Sequence, residues 1–166
     1  MTSHNCTKLS YLIVDPNPQS VDVVATALKQ IGLHYVRAIR QWLPNVDAIF
    51  SARPDVILLQ FANGSSSAIA LVQAIRRHPD AAFREVPIIA YISTPTMGNF
   101  LSAKNSGVHE FMAKPFSARD VERRVDHVVN KPRDWIVTAN YVGPDRRRFN
   151  SSEPPAGPRR TSDTSN

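Results

Sequence analysis

Short apolar runs alternate with longer amphipathic stretches along the first 130 residues of the chain. The short runs are rich in aliphatic and β-branched residues, which is typical of strands that are buried on both faces of a sheet. The longer stretches repeat apolar residues at a spacing of three and four positions, which predicts helices. The pattern predicts strands over residues 11–15, 35–39, 56–60, 86–92 and 110–113, and helices over residues 19–31, 42–52, 68–77, 97–106 and 120–129.

Five strands that alternate with five helices predict an α/β fold, because parallel strands need crossover connections and these are right-handed. We expect a doubly wound, five-stranded parallel sheet of strand order 2-1-3-4-5, with helices on both faces. In such a sheet the functional crevice lies at the carboxyl ends of the strands. Asp15, Gln60, Ile92 and Lys114 each end or follow a predicted strand, so we expect them to meet at that edge.

The chain divides into four parts by composition. We expect residues 1–8 to be a flexible N-terminus, residues 9–131 a folded domain, residues 132–149 a basic extension and residues 150–166 a disordered tail. The tail holds three prolines, four serines and two threonines, with Ala156 as its only apolar side chain. Such a segment cannot bury enough surface to offset the entropy of ordering it.

Composition narrows the class of protein without naming a ligand. Hydrophobic residues make up 42% of the chain and the formal net charge is +6. A single cysteine, Cys6, excludes an internal disulfide bond and a cysteine-based zinc site, and we expect it to be an ordinary residue of a loose N-terminus. The first ten residues lack a signal-peptide pattern and no segment approaches about 18 consecutive apolar residues. We therefore expect a cytoplasmic protein that does not insert into a membrane.

Four motifs occur in one order: an apolar strand that ends on Asp15, PDVILL at residues 54–59, VPIIA at residues 86–90 and GVHEFMAKPFS at residues 107–117. They resemble the receiver domain of two-component response regulators, and chemotaxis-type receivers in particular. The resemblance implies the flavodoxin-like receiver fold. It also implies a site in which two acids after the first strand and an aspartate ending the third strand hold Mg²⁺, and that last aspartate accepts a phosphoryl group. In that family a threonine or serine ends the fourth strand and a lysine ends the fifth.

The resemblance fails at three of these five positions. Asp15 matches the first acid and Lys114 matches the lysine, but Pro16 stands at the position of the second acid. Gln60 stands at the phosphoacceptor position and Ile92 at the position of the hydroxyl residue. A glutamine carboxamide cannot form the acyl phosphate that an aspartate forms. We therefore interpret the chain as a phosphorylation-incompetent pseudo-receiver with weak or absent Mg²⁺ binding, and not as an enzyme.

Two matching residues have structural explanations that need no phosphorylation. We expect Lys114 to pair with Asp15 or to hydrogen-bond Gln60 without any metal ion. Phe111 matches the aromatic switch position of receivers, but an aromatic residue on a short strand more commonly serves in packing. We therefore expect Phe111 to be a packing residue.

The extension contains the motif GPDRRR at residues 143–148, between two aromatic residues. Its Gly-Pro-Asp portion predicts a turn that presents Arg146, Arg147 and Arg148 together. Arginine and aromatic side chains can hold phosphate groups and stack on bases. By composition the segment resembles the arginine-rich C-terminal segment with which a subset of chemotaxis-type receivers binds cyclic di-GMP. Alternatively, the arginines are solvated or pack against the domain.

The residues leave three hypotheses about function open. The first is a module that signals without phosphorylation in a two-component or chemotaxis-type pathway, and binds a kinase, motor or output protein through its fourth and fifth helices and the extension. The second is an effector that binds a cyclic dinucleotide through the arginine cluster. The third is a conventional response regulator phosphorylated at Ser93 or Asp55, although Asp55 begins its strand and belongs at the far end of the sheet. DNA binding is not expected, because no helix-turn-helix pattern follows the domain.

Overall fold

A computed structural model of the chain describes residues 5–41, 46–62 and 66–147. Five parallel strands form one sheet in the order β2-β1-β3-β4-β5, which confirms the predicted doubly wound fold. The strands are β1 (Tyr11–Val14), β2 (Val36–Ile39), β3 (Val56–Phe61), β4 (Ile88–Ile92) and β5 (Glu110–Ala113). The tail predicted to be disordered, residues 150–166, lies outside the described residues.

Helices cover both faces of the sheet. They are α1 (Pro18–Gln30), α2 (Asp47–Ala52), α3 (Ser66–Arg76), α4 (Ala81–Arg84), α5 (Met97–Ser106) and α6 (Ala118–Asn130). The second helix is predicted to begin at residue 42, whereas its described part begins at Asp47, and residues 42–45 are not described. The sequence does not predict α4, because a single turn is too short to show periodicity. Asp80 begins α4 by accepting a hydrogen bond from the backbone N–H of Phe83.

The core has one apolar layer on each face of the sheet, because successive side chains of a strand point to opposite faces. Leu59 of β3 belongs to the layer that includes Val72 of α3. Its neighbour Leu58 belongs to the other layer, together with Leu28 of α1 and Val125 of α6. Burial on both faces explains why the strands are continuously apolar rather than alternating.

Side-chain caps define where the two longest helices begin. Asn17 accepts a hydrogen bond from the backbone N–H of Ser20 at the start of α1, and Pro18 occupies the first turn. Ser117 and Asp120 form a capping box at the start of α6. Both helices have 13 residues, and in the described ranges no helix is long and apolar enough to cross a membrane.

The N-terminal segment differs from the flexible N-terminus predicted over residues 1–8. Its described part contains a 3-10 helix, Cys6–Lys8, and the side chain of Cys6 is buried in the apolar layer that includes α6. The Tyr11 hydroxyl donates a hydrogen bond to the Cys6 carbonyl oxygen over 2.8 Å. The expectation of a loose segment is therefore wrong for these residues, because burial and this hydrogen bond hold them against the domain.

The extension folds as an antiparallel hairpin of two strands, β6 (Trp135–Val137) and β7 (Val142–Pro144). The turn predicted at residues 143–145 is wrong, because the glycine and proline of that motif lie in β7 and pair with β6. The chain turns after β7 instead, where Asp145 Oδ1 accepts a hydrogen bond from the backbone N–H of Arg147 over 2.9 Å.

Candidate functional site

The carboxyl ends of β1 and β3 bring Asp15 and Gln60 together. The two strands are parallel neighbours with Val14 opposite Leu59. Asp15 and Gln60 are the next residues along these strands, so they lie side by side at the carboxyl edge of the sheet. Asp15 is completely buried, whereas Gln60 is half-buried.

The ends of β4 and β5 bring Ile92 and Lys114 to the same edge. Gln60 lies opposite Tyr91 in the sheet, and the backbone N–H of Lys114 donates to the Ile92 carbonyl oxygen over 2.8 Å. Pro16, in the loop after β1, is exposed at this edge. The structure thus collects the strand-end residues that the sequence singles out.

Both carboxylate oxygens of Asp15 have hydrogen-bond donors. The Tyr91 hydroxyl donates to Oδ2 over 2.6 Å, and the backbone N–H of Asn17 donates to Oδ1 over 2.8 Å. Burial, together with the hydrogen bond to Asp15, raises the pKa of Tyr91 above its ordinary value, so the phenol keeps its proton and remains a donor. A fully buried carboxylate needs such donors. Tyr91, which the sequence analysis does not single out, is therefore a principal partner of Asp15.

The ammonium group of Lys114 has a different partner from the one expected. Its nitrogen donates to the Ser20 hydroxyl oxygen and lies 5.1 Å from the centroid of the Tyr91 ring. The expectation of an ion pair with Asp15 is wrong, because Tyr91 and Asn17 bond that carboxylate and the lysine reaches the first turn of α1 instead. A cation over an aromatic face gains roughly 0.5–2 kcal/mol.

The residues at this edge do not fit a Mg²⁺ ion held as the resemblance implies. Mg²⁺ requires hard oxygen ligands in near-octahedral geometry. Pro16 supplies no side-chain oxygen, Gln60 supplies only a neutral one, and both oxygens of Asp15 already accept hydrogen bonds. Within residues 5–41, 46–62 and 66–147, no group of three or more histidine, cysteine, aspartate or glutamate side chains is placed to hold a metal ion.

Two positions that would take part in switching in the resembled family are apolar and packed. Ile92 is 1% exposed and belongs to the apolar layer that includes α3 and α5. The half-buried Phe111 ring lies 4.5 Å from the Phe100 ring of α5, centroid to centroid. In this conformation Phe111 packs β5 against α5.

Of the two alternative phosphoacceptors, Asp55 lies at the opposite edge of the sheet. It precedes β3, and its Oδ2 accepts hydrogen bonds from the backbone N–H of Ser10 over 2.7 Å and from the Ser10 hydroxyl over 2.8 Å. Ser93 directly follows β4 and is exposed. Ser93 is therefore the one of the pair that lies near the carboxyl edge.

A buried arginine, Arg76, is the largest polar feature that the sequence analysis missed. Its Nε donates to the Gly107 carbonyl oxygen over 2.8 Å. One terminal nitrogen donates to the carbonyl oxygens of Arg84 over 2.8 Å and Val86 over 2.9 Å. Burial lowers the pKa of Arg76 to about 9, which still leaves the guanidinium charged at neutral pH. The sequence carries no signal for this burial, because an arginine near the end of a helix is normally solvated.

His109 is buried beside this guanidinium. Its Nδ1 accepts a hydrogen bond from the backbone N–H of Ile88 over 3.2 Å and lies 3.1 Å from a terminal nitrogen of Arg76. Burial, followed by the charges of Arg76 and Arg133, holds the pKa of His109 well below its ordinary value. His109 is therefore a neutral acceptor in the folded protein.

Glu110, the first residue of β5, links the domain to the extension. It is 1% exposed and bonds three basic side chains. Oε2 lies 2.8 Å from Arg124 of α6, and Oε1 lies 2.9 Å from His127 and 2.5 Å from Arg133. Arg133 lies two residues before the hairpin, so this cluster fastens the start of the extension to β5 and α6.

Arg146 of the arginine cluster is exposed but makes contacts within the protein. The guanidinium carbon of Arg146 lies 4.2 Å from the centroid of the Tyr141 ring, and a terminal nitrogen donates to Asn105 Oδ1 over 2.8 Å. Arg147 is exposed, and Arg148 lies outside the described residues. Arg146 thus packs the hairpin against the end of α5, while cyclic dinucleotide binding by the cluster stays a prediction.

Comparison with known proteins shows similarity to response regulators. No family model matches the chain. The phosphate regulon transcriptional regulatory protein PhoB of Pseudomonas aeruginosa is 27% identical over 120 residues, which cover 72% of this chain and 51% of that protein. The chain therefore spans about half the length of this curated relative.

Solved structures show the same fold. The signal receiver domain of a DNA binding response regulator protein from Colwellia psychrerythraea has a TM-score of 0.64 at 18% identity, covering 75% of this chain and 100% of that one. The chemotaxis protein CheY4 of Vibrio cholerae has a TM-score of 0.62 at 19% identity, covering 73% of this chain and 98% of that one. The strand order and these likenesses show that the described domain has the fold of response regulator receiver domains.

Proposed function

We propose that this receiver domain works without phosphorylation, as a module that binds a signalling protein and catalyses no reaction. The observation that carries the proposal is Gln60 at the end of β3, where receivers of the resembled family have the aspartate that accepts the phosphoryl group. A carboxamide has no anionic oxygen to attack phosphorus and forms no acyl phosphate. The function of the domain must then rest on its surface.

The surroundings of Gln60 support the proposal. The loop after β1 carries Pro16 in place of a second acid, and the oxygens of Asp15 accept hydrogen bonds from Tyr91 and Asn17. Ile92 offers no hydroxyl at the end of β4. Phosphoryl transfer depends on positioned charges and a metal ion, so each of these differences weakens the site independently of Gln60.

The surface that supports partner binding lies on α5. Met97 is 64% exposed and Leu101 is 44% exposed. They are four residues apart, so they lie on the same side of the helix. Adjacent exposed apolar side chains are typical of surfaces that contact another protein. We assign α5, α6 and the hairpin as the binding surface, and a kinase, motor or output protein of a signalling pathway as the class of partner.

The proposed binding can be tested by co-purification of the full chain with proteins of its native host. We expect the same partner to be recovered with and without a small-molecule phosphodonor. Met97→Ser combined with Leu101→Ser should abolish recovery. Val23→Ser, which changes an exposed apolar residue of α1, is the matched control and should not affect it. A partner that requires the phosphodonor, or that is lost equally in the control, would contradict the proposal.

A further inference from the structure

We propose that Tyr91 closes the strand-end site to divalent cations by holding both charged side chains that remain there, Asp15 through its hydroxyl group and Lys114 through its ring. The inference rests on the proposed phosphorylation-independent function. It identifies Tyr91 as the residue that would keep the site closed to a cation even if the missing acids were restored. Tyr91 has no counterpart among the phosphorylation-site positions that the resemblance implies.

Tyr91 contacts Asp15 through its hydroxyl group. Tyr91 lies in β4 and is completely buried. Its hydroxyl donates to Asp15 Oδ2 over 2.6 Å, a short distance that is typical of a hydroxyl bonded to a carboxylate. A cation that binds this oxygen competes with the hydroxyl for it, and a displaced hydroxyl would be buried without an acceptor.

Tyr91 contacts Lys114 through its aromatic ring. The lysine nitrogen lies 5.1 Å from the centroid of the Tyr91 ring and donates to the Ser20 hydroxyl in the first turn of α1. In the resembled family the lysine acts on the phosphoryl group, beside the end of the third strand. Here its charge is held by an aromatic ring and by α1.

The two contacts together form a polar network that needs no metal ion. It joins Asp15 after β1, Ser20 of α1, Tyr91 of β4 and Lys114 after β5. The ring and the hydroxyl of one tyrosine thus take over the two tasks of a bound cation at this edge. The hydroxyl supplies a hydrogen-bond donor to the carboxylate, and the ring face holds the lysine ammonium, so the network links the ends of β1, β4 and β5.

The inference is tested with two rebuilt versions of the full chain. The first carries Pro16→Asp, Gln60→Asp and Ile92→Thr with Tyr91 kept, and the second carries the same changes with Tyr91→Phe. Mg²⁺ affinity is measured by calorimetry and by the rise in unfolding temperature with added Mg²⁺. We expect the version with Tyr91→Phe to bind Mg²⁺ roughly tenfold or more tightly than the version with Tyr91, because a hydrogen bond to a charged group no longer competes. Equal affinities in the two versions would overturn the inference.

A second measurement decides the question if a rebuilt version fails to fold. A double-mutant cycle isolates the interaction between Tyr91 and Asp15 from unfolding free energies. It compares the native chain with Tyr91→Phe, Asp15→Ala and the double variant. Tyr11→Phe is the matched control, because it removes a buried hydroxyl that bonds a backbone carbonyl oxygen and not Asp15. We expect strong coupling for Tyr91 and additive effects for Tyr11. Additive effects for Tyr91 would overturn the inference.

Failure of the inference and failure of the proposed function are distinguishable. Phosphoryl uptake by the native chain would overturn the proposed function, while the difference between the two rebuilt versions would still report on Tyr91. Equal Mg²⁺ affinities in the rebuilt versions would overturn the role of Tyr91, while a native chain that takes up no phosphoryl group would still support the proposed function.

Discussion

Arg76 places a guanidinium group in the interior at the C-terminal end of α3, where only 1% of the residue is exposed. Burying an unpaired charge costs several kcal/mol. The cost is offset because the guanidinium bonds the carbonyl oxygens of Gly107, Arg84 and Val86 and lies against His109. One side chain therefore ties the end of α3 to the segments that lead into β4 and β5.

Arg76→Met should destabilise the protein strongly, because it leaves three carbonyl oxygens without their donor. We expect the free energy of unfolding to fall by about 2–4 kcal/mol, since each unsatisfied buried acceptor costs about 1–3 kcal/mol and loss of the buried charge returns part of that. Urea denaturation of the full chain measures the change. Arg77→Met, at the exposed next position, is the control and should change stability by less than about 0.5 kcal/mol. Equal losses in the two variants would contradict the role of Arg76.

Acid should destabilise the protein through His109. Burial and the charges of Arg76 and Arg133 hold its pKa well below the ordinary value of 6.5. At a pH between the lowered pKa of His109 in the folded chain and the ordinary value of 6.5, the unfolded chain binds a proton that the folded chain does not. The contribution of His109 is therefore fully present above about pH 6.5 and is lost as the pH falls below that value.

Thermal unfolding between about pH 7 and pH 5 measures this dependence. The midpoint of the native chain should fall with decreasing pH, and His109→Gln should flatten the slope, because glutamine binds no proton. His34→Gln, at an exposed position, should leave the slope unchanged. An unaltered slope in His109→Gln would show that another group causes the acid sensitivity.

At the scale of elements, three contacts besides that of Arg146 with Asn105 attach the β6–β7 hairpin region to the domain. The Trp135 ring centroid lies 5.2 Å from the guanidinium carbon of Arg76. Arg133 bonds Glu110, and Gly143 of β7 lies against Gly107. All three contacts adjoin the start of β5 or the end of α3. The hairpin therefore packs against the part of the sheet edge opposite Gln60 that adjoins β5.

Gly143→Ala should weaken this attachment. A Cβ atom on Gly143 would lie 2.7 Å from the Tyr141 hydroxyl oxygen and 3.1 Å from the Cα atom of Gly107. Because neither neighbour is a flexible chain end, we expect a loss of about 1–3 kcal/mol in the free energy of unfolding. Gly98→Ala in α5 is the control, since the nearest atom to its Cβ would be Thr96 Oγ1 at 3.9 Å, and it should be neutral or slightly stabilising. Chemical denaturation measures both variants. Equal stability of Gly143→Ala and Gly98→Ala would contradict the close packing of Gly143.

At the scale of the whole molecule, the sequence predicts the receiver fold because burial on both faces makes the strands recognisable. The strand predicted at residues 110–113 matches β5, and the one at residues 56–60 falls one residue short of β3. Alternating strands and helices then permit few topologies. The meeting of Asp15, Gln60 and Lys114 at one edge follows from the parallel order alone.

The partners of these residues are not predictable from the sequence. Tyr91 lies in an apolar strand and is predicted to be a core residue. Its hydroxyl reaches Asp15 only in the folded sheet, where β3 lies between β1 and β4. Arg76 is likewise predicted to be a solvated residue at the end of a helix. The hairpin is missed because three-residue strands carry little pattern, and because its Gly-Pro sequence favours a turn.

The two edges of the sheet at the ends of its strands have different surroundings. A polar network that includes Asp15, Tyr91 and Lys114 lies at the carboxyl edge. The hairpin packs against the opposite edge beside β5. Between them, α5 exposes Met97 and Leu101. This arrangement supports a receiver whose surface is available to a partner without a chemical signal at its strand ends.

The most direct test of that account is the intact mass of the native full chain after incubation with acetyl phosphate and Mg²⁺. A receiver that retains its phosphoacceptor, treated in parallel, is the positive control. We expect no change in the mass of this chain, because Gln60 forms no acyl phosphate and both oxygens of Asp15 accept hydrogen bonds. A stoichiometric gain of one phosphoryl group that depends on Mg²⁺ would contradict it.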